Sequence, residues 1–191
     1  MAHDDSVDRA FRVVPRAPFL PADQRHRASR DAPLPIGQGQ TNSQPFTVGA
    51  MLRLLDVRPG SRVLDLGSGS GWTTALLAHL VGPEGAVIGV ERQEALIEPS
   101  RRALATTDHE ARTEIRLARP GVLGAPEDAP FDRILVSAEA REMPSTLLEQ
   151  LADGGVMVIP VGSTMHRVER DGDELRDTEH GAFRFVPLIE D

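Results

Sequence analysis

Val63-Leu64-Asp65-Leu66-Gly67-Ser68-Gly69-Ser70-Gly71 runs an apolar segment straight into three alternating glycines. Residues 62–66 predict a buried strand and residues 67–71 a turn. Residues 73–80 predict a helix, closed by Gly82-Pro83. Glycine allows a tight turn and lets a ligand come close to the backbone. A strand before the glycines and a helix after them is the setting in which such a turn binds a ligand, although the same glycines also serve a plain turn.

The pattern repeats outward from there. Residues 86–91 predict a second strand and 94–106 a second helix. Strands follow at 114–118 and 133–136, then a helix at 145–151 and a fifth strand at 156–160. Residues 167–170 and 183–188 alternate around a polar turn and predict a terminal hairpin. Upstream, residues 46–55 predict a helix with Val48, Met51, Leu52 and Leu55 on one face. Residues 34–45 hold two prolines and two glycines and read as loop. Residues 5–14 predict a short helix, followed by irregular chain through Pro15, Pro18 and Pro21. Alternating strands and helices imply an α/β fold: a mostly parallel twisted sheet with helices on both faces, here ending in an antiparallel hairpin. We expect one domain over 1–191, with 1–45 as a cap and substrate loop and 46–191 as a Rossmann-like core.

The second predicted strand ends in a carboxylate, Glu91, 20 residues after Gly71. Dinucleotide-binding folds place an acid at this distance to bind ribose hydroxyls, and an ionised carboxylate accepts two such protons. The spacing departs from the dinucleotide pattern G-x-G-x-x-G, because the third glycine is one position early and Trp72 takes its slot. Asp65, just before the turn, would also repel a pyrophosphate. A cationic cofactor tolerates that acid, so the pattern favours S-adenosyl-L-methionine over NAD. Trp72 itself reads equally as a cofactor neighbour or a core residue.

Composition narrows the chemistry. Among 191 residues there is no Cys, which excludes disulfides, thiolate metal sites and a thiol nucleophile. Lys and Tyr are absent too. The net charge of −8 argues against general nucleic acid binding, and no apolar run reaches membrane-spanning length. No pair among the six His residues has the spacing of a zinc helix. The expectation is a cytoplasmic, monomeric protein without a metal, nucleic acid or membrane partner.

Several segments taken together resemble the protein-L-isoaspartate (D-aspartate) O-methyltransferase family. They are the glycine turn, Val90-Glu91-Arg92, the run Ala129-Pro130-Phe131-Asp132-Arg133-Ile134-Leu135-Val136-Ser137-Ala138, and the upstream block Pro33-Leu34-Pro35-Ile36-Gly37-Gln38-Gly39-Gln40-Thr41-Asn42-Ser43-Gln44-Pro45. Val14-Pro15-Arg16 and residues 153–162 match as well. The resemblance implies a class I methyltransferase fold and methyl transfer to isoaspartyl carboxylates of damaged proteins. The methyl ester then closes to a succinimide, which opens partly to normal aspartate. It implies Ser43 as the catalytic hydroxyl and Asp65, Gly67, Ser68, Gly69, Gly71, Glu91, Arg92 and Gly121 as cofactor-binding residues. Thr41, Asn42, Gln44, Ser137 and Ala138 would then meet the substrate. From the residues alone, Ser43 and Thr41 read more readily as turn formers.

Three positions depart from the family pattern. Asn42 stands where the family has an aliphatic residue. Pro120 stands where it has an Asp that holds adenine. Ser163-Thr164-Met165-His166 replaces a segment containing Gln. Two alternatives follow: a biosynthetic enzyme that methylates aspartate in a peptide, or a degenerate cofactor-binding protein without turnover.

Overall fold

The computed structural model describes residues 6–189. Seven strands form one sheet: β3 (Arg62–Leu66), β4 (Ala86–Glu91), β5 (Arg112–Leu117), β6 (Phe131–Val136), β7 (Leu151–Val161), β8 (Thr164–Asp171) and β9 (Glu174–Ala182). Their spatial order is β5-β4-β3-β6-β7-β8-β9. The first five are parallel to their neighbours, whereas β7–β8 and β8–β9 pair antiparallel.

Side chains alternate across each strand and build two cores. Val63, Val87, Ile115, Leu135 and Val158 face one way. They pack against α1 (Ser6–Val13), α2 (Pro45–Leu55), α3 (Trp72–Val81) and α4 (Glu94–Leu104). Leu64, Ile88, Ile134 and Met157 face the other way, toward Leu147 of the short helix α5 (Ser145–Leu148). Right-handed crossovers account for this split. The chain steps from β3 through α3 to β4 and through α4 to β5 in one direction. It then steps from β6 through α5 to β7 in the other.

The direction reverses at β3, whose neighbours are β4 and β6. In such sheets the ligand crevice lies beyond the carboxyl ends of the strands at that reversal. Here those ends are Leu66, Glu91 and Val136.

The predicted strands at 62–66 and 86–91 coincide with β3 and β4, and the predicted helix face at Val48, Met51, Leu52 and Leu55 is buried. Two expectations are corrected. Residues 34–45 are not all loop: β1 (Leu34–Gly37) and β2 (Gln40–Asn42) form a small antiparallel hairpin. A bulge between Pro35 and Gly37 accommodates the proline, and positive φ values at Gly37, Gln38 and Gly39 make the turn. The terminal hairpin exists, but its second arm is β9, not 183–188. β9 is exposed at every residue and so carries no alternating apolar signal. Residues 183–188 alternate because they fold back along the sheet's carboxyl edge, where Glu139 N–H bonds the Val186 carbonyl at 2.8 Å and Leu188 N–H bonds the Glu139 carbonyl at 2.7 Å.

Candidate active site

The glycine turn is closed by its own backbone. Gly67, Gly69 and Gly71 have φ of 80°, 53° and 84°, a region that side chains disfavour. At Gly71 a Cβ would also sit 3.0 Å from Ile115 Cδ1. The N–H groups of Gly67 and Ser68 both donate to the Val90 carbonyl, at 2.8 and 3.2 Å, and that of Gly71 to the Ser68 carbonyl at 2.8 Å. Gly69 N–H donates to Glu91 Oε2 at 2.8 Å. Four of the five amides from Gly67 to Gly71 are therefore spent inside the protein. The turn is not the row of open donors that its composition implies, although Gly67 to Ser70 line the cavity.

Glu91 closes β4 and is buried to 6% exposure at the cavity wall. Its Oε1 accepts from Gln93 N–H at 2.7 Å. Each carboxylate oxygen is thus aimed by one backbone amide and keeps acceptor capacity for a second donor.

Asp65 lies elsewhere than expected. It is 0% exposed and does not line the cavity. Its Oδ2 accepts the hydroxyls of Thr73 and Thr74 at 2.8 and 2.7 Å, so the carboxylate fastens the start of α3 from behind the turn. Oδ1 has no partner. Burial pushes the carboxyl up to about 6; the two threonine bonds oppose this and the nearby Glu91 adds to it.

One cavity of about 860 Å³ opens beyond these strand ends. It gathers Thr41 and Asn42 from β2 and Ser43 and Gln44 from the β2–α2 connection. It also gathers Gly67, Ser68 and Gly69 from the turn, Glu91 at the end of β4 and Arg92 after it, and Ser137 and Ala138 after β6. Among the expected site residues, Asp65, Gly71 and Gly121 do not line it. Gly71 packs against Ile115 and Ser100, and Gly121 makes a turn at φ 68° between Pro120 and Val122, which do. Val90, Leu117, Ala118, Pro120 and Leu123 give the cavity an apolar slot. Arg184 to Ile189 complete a wall that the sequence does not disclose, since they read as a strand. No histidine appears among the described lining residues, and among the described residues no cluster of three acidic or histidine residues is placed to hold a metal.

The connection carrying Ser43 is held from two sides. Arg16, 5% exposed, donates from Nη2 to the carbonyls of Asn42 and Ser43, both at 2.9 Å, and to that of Ala32 at 3.0 Å. Its Nη1 reaches the Arg30 carbonyl at 3.0 Å. The guanidinium also lies 5.4 Å from the Trp72 ring centroid. Burial pulls it down to about 10, with Asp31 opposing, so it stays charged at neutral pH. From outside, Asp31 accepts Phe46 N–H at 2.8 Å and Gln44 Nε2 at 3.0 Å, which holds its carboxyl below the usual range. Sequence spacing gives Arg16 no function, because its partners lie up to 27 residues away.

A family model described as Protein-L-isoaspartate(D-aspartate) O-methyltransferase (PCMT) matches residues 1–191. The chain belongs to that family. It is 48% identical over 188 residues to the protein-L-isoaspartate O-methyltransferase of Methanopyrus kandleri, covering 96% of this chain and 83% of that one. The same-named protein of Yersinia pestis is 42% identical over 191 residues, covering 98% and 89%. A Plasmodium falciparum structure described as a putative protein-L-isoaspartate O-methyltransferase in complex with S-adenosyl-L-homocysteine superposes with a TM-score of 0.87 at 27% identity, covering 98% and 92%.

Membership in this methyltransferase family gives the departures their setting. Asn42 does not present a polar group freely to an acceptor: its Oδ1 accepts from Arg16 Nε at 2.6 Å and its Nδ2 donates to Ser70 Oγ at 2.9 Å. Pro120 forms part of the apolar slot. The segment after Gly162 is a tight turn through Gly162 and Ser163, both at positive φ, which joins β7 to β8. His166 pairs with Asp177 on β9 and takes no part in the cavity. Trp72 stands between cavity and core. It lines the cavity, and it is buried with its Nε1–H donated to the Val14 carbonyl at 3.2 Å.

Proposed function

We propose that this protein is an S-adenosyl-L-methionine-dependent carboxyl O-methyltransferase acting on isoaspartyl residues of damaged proteins or peptides. One observation carries the reading: the Ser43 connection and the Gly67–Glu91 surface line the same cavity, which is large enough for an adenosyl amino acid beside a peptide carboxylate.

The residues present fit the cofactor. Glu91 keeps lone pairs for two ribose hydroxyls, and the slot from Val90 to Leu123 offers an apolar surface for adenine. Ser68 Oγ, buried at the cavity wall, has no hydrogen-bond partner among the described residues. Bound S-adenosyl-L-methionine would supply a methyl group already activated by its sulfonium.

The chain's own residues have a modest chemical task. An acceptor carboxylate is ionised at neutral pH and needs no base, consistent with a described lining free of histidine. The protein must align the acceptor oxygen and exclude water. Ser43 can donate its hydroxyl to one carboxylate oxygen and leave the other facing the methyl group. Arg92 and Arg184 line the same cavity beside Glu91 and Glu94, while Arg119 is paired with Glu127. With the Asn42 amide engaged by Arg16 and Ser70, nothing at that position favours a shift to ordinary aspartate.

Incubation with labelled S-adenosyl-L-methionine tests this. An isoaspartyl peptide should acquire a base-labile methyl ester, and the same peptide carrying aspartate should not. Labelling of the aspartyl peptide alone would overturn the assignment.

A further inference from the structure

The two halves of the cavity are tied together by one side chain. Arginine has only donors, so the Asn42 atom 2.6 Å from Arg16 Nε must be its oxygen. The atom 2.9 Å from Ser70 Oγ is then the amide nitrogen, and Ser70 accepts. Both residues line the cavity, and Asn42 is 4% exposed. Arg16 meanwhile grips the backbone carbonyls of Asn42 and Ser43. The acceptor connection and the glycine turn are therefore joined by an unbroken run of bonds: Ser43 carbonyl, Arg16, Asn42, Ser70.

We propose that Asn42 is a positioning residue that couples the binding of cofactor and acceptor by fixing Ser43 relative to the Gly67–Gly71 turn. The proposal rests on the assignment of cofactor to that turn and acceptor to Ser43. A cofactor packed on the turn restrains Ser70, hence Asn42, hence the connection that presents Ser43. An acceptor carboxylate on Ser43 restrains the same run from its other end. Each ligand thereby bears part of the ordering cost that the second would otherwise meet, which is positive coupling. An aliphatic residue at this position packs but cannot make this bridge.

Two variants separate bridge from packing. Asn42→Leu keeps the branched shape and removes both hydrogen bonds. Asn42→Asp keeps an acceptor for Arg16, which protects the fold, but has no donor for Ser70. The Ser70 hydroxyl must then turn its own proton toward the introduced carboxylate, reversing the bond.

The experiment is titration calorimetry of S-adenosyl-L-homocysteine, with and without saturating isoaspartyl peptide, on the full chain. The native protein should bind the cofactor product at least about five-fold more tightly when peptide is present. In Asn42→Leu and Ser70→Ala the enhancement should fall below about two-fold, whereas Asn42→Asp, whose carboxylate still accepts from Arg16 and from the Ser70 hydroxyl, should keep it; each variant should keep a cooperative thermal transition. Asn42→Leu combined with Ser70→Ala should lose no more than either alone, because both cut the same link. A merely structural role would lower stability without moving the enhancement. Full enhancement in Asn42→Leu or Ser70→Ala, additive losses in the double variant, or no enhancement in the native protein would overturn the coupling. If the native protein binds S-adenosyl-L-homocysteine and methylates the peptide yet shows no coupling, this proposal alone fails. If it binds no S-adenosyl-L-homocysteine, the functional assignment fails with it.

Discussion

Asp65→Asn should make the protein relatively more stable as pH rises, in a window set by the buried carboxyl. Asp65 has no solvent exposure, and its proton is held up to about pH 6 against an ordinary value of 3.8. The folded state therefore binds that proton more tightly than the unfolded chain. Below about pH 4 both states are protonated and the burial penalty is absent. Between pH 4 and 6 the folded state must give up a proton it prefers to keep, so stability falls with rising pH. Above pH 6 the full penalty is present. Roughly two pH units at about 1.4 kcal/mol each give a penalty of about 3 kcal/mol, from the values 3.8 and about 6. Asparagine keeps the size and an oxygen for Thr73 and Thr74, but places its NH₂ where Oδ1 now lacks a partner. That fixed cost of about 1–3 kcal/mol does not vary with pH. The informative quantity is thus the difference between variant and native protein, not either value alone. Urea unfolding of both at pH 4, 5, 6 and 7 should show the difference moving in the variant's favour by up to about 3 kcal/mol, mostly between pH 4 and 6. A flat difference across that range would refute the reasoning.

Other outcomes follow from the same geometry. Because Asp65 is a buried charge behind the turn, Asp65→Asn should weaken cationic S-adenosyl-L-methionine more than the uncharged thioether of S-adenosyl-L-homocysteine, as measured by calorimetry at pH 8. Glu91→Gln should weaken S-adenosyl-L-homocysteine by about 10- to 100-fold, the range for losing hydrogen bonds to a charged acceptor; a change under about two-fold would remove Glu91 from the ribose site. Ser43→Ala should cut turnover by about 100-fold while leaving the affinity for S-adenosyl-L-homocysteine within about two-fold, and an unaltered rate would demote Ser43 to a turn residue. Arg16→Ala leaves buried carbonyls at Ala32, Asn42 and Ser43 without donors. It should lower unfolding free energy by about 3–5 kcal/mol in urea titrations, with Arg16→Lys recovering less than half, because an ammonium cannot reproduce the guanidinium fork.

The sheet is legible because its strands are buried on both faces. Val63, Leu64 and Leu66, or Val87, Ile88 and Val90, mark strands by their apolar runs, and the glycines after Leu66 mark where the first of them ends. The cavity is legible through Glu91 and the Thr41–Gln44 block, which lie about 50 residues apart yet meet at the carboxyl edge of the sheet. What escapes depends on tertiary pairing. β9 has no apolar face, since it is an exposed edge strand held by backbone bonds to β8. Arg184 to Ile189 look like a strand because their alternation serves the cavity wall. The place of Asp65 just before the glycines points it at the cofactor, but strand alternation turns it toward α3, the side of Val63 and Val87. The composition of the turn suggests open amides, but Val90 and Glu91 occupy them. The Arg16–Asn42–Ser70 run links residues 26 and 28 positions apart and has no local signal at all.

A crystal structure of the protein with S-adenosyl-L-homocysteine and an isoaspartyl peptide tests the central claim most directly. The ribose hydroxyls should lie on Glu91, and the peptide's α-carboxylate should lie on Ser43 with one oxygen facing the thioether sulfur. A ribose bound away from Glu91, or a carboxylate seated outside the cavity, would contradict the account.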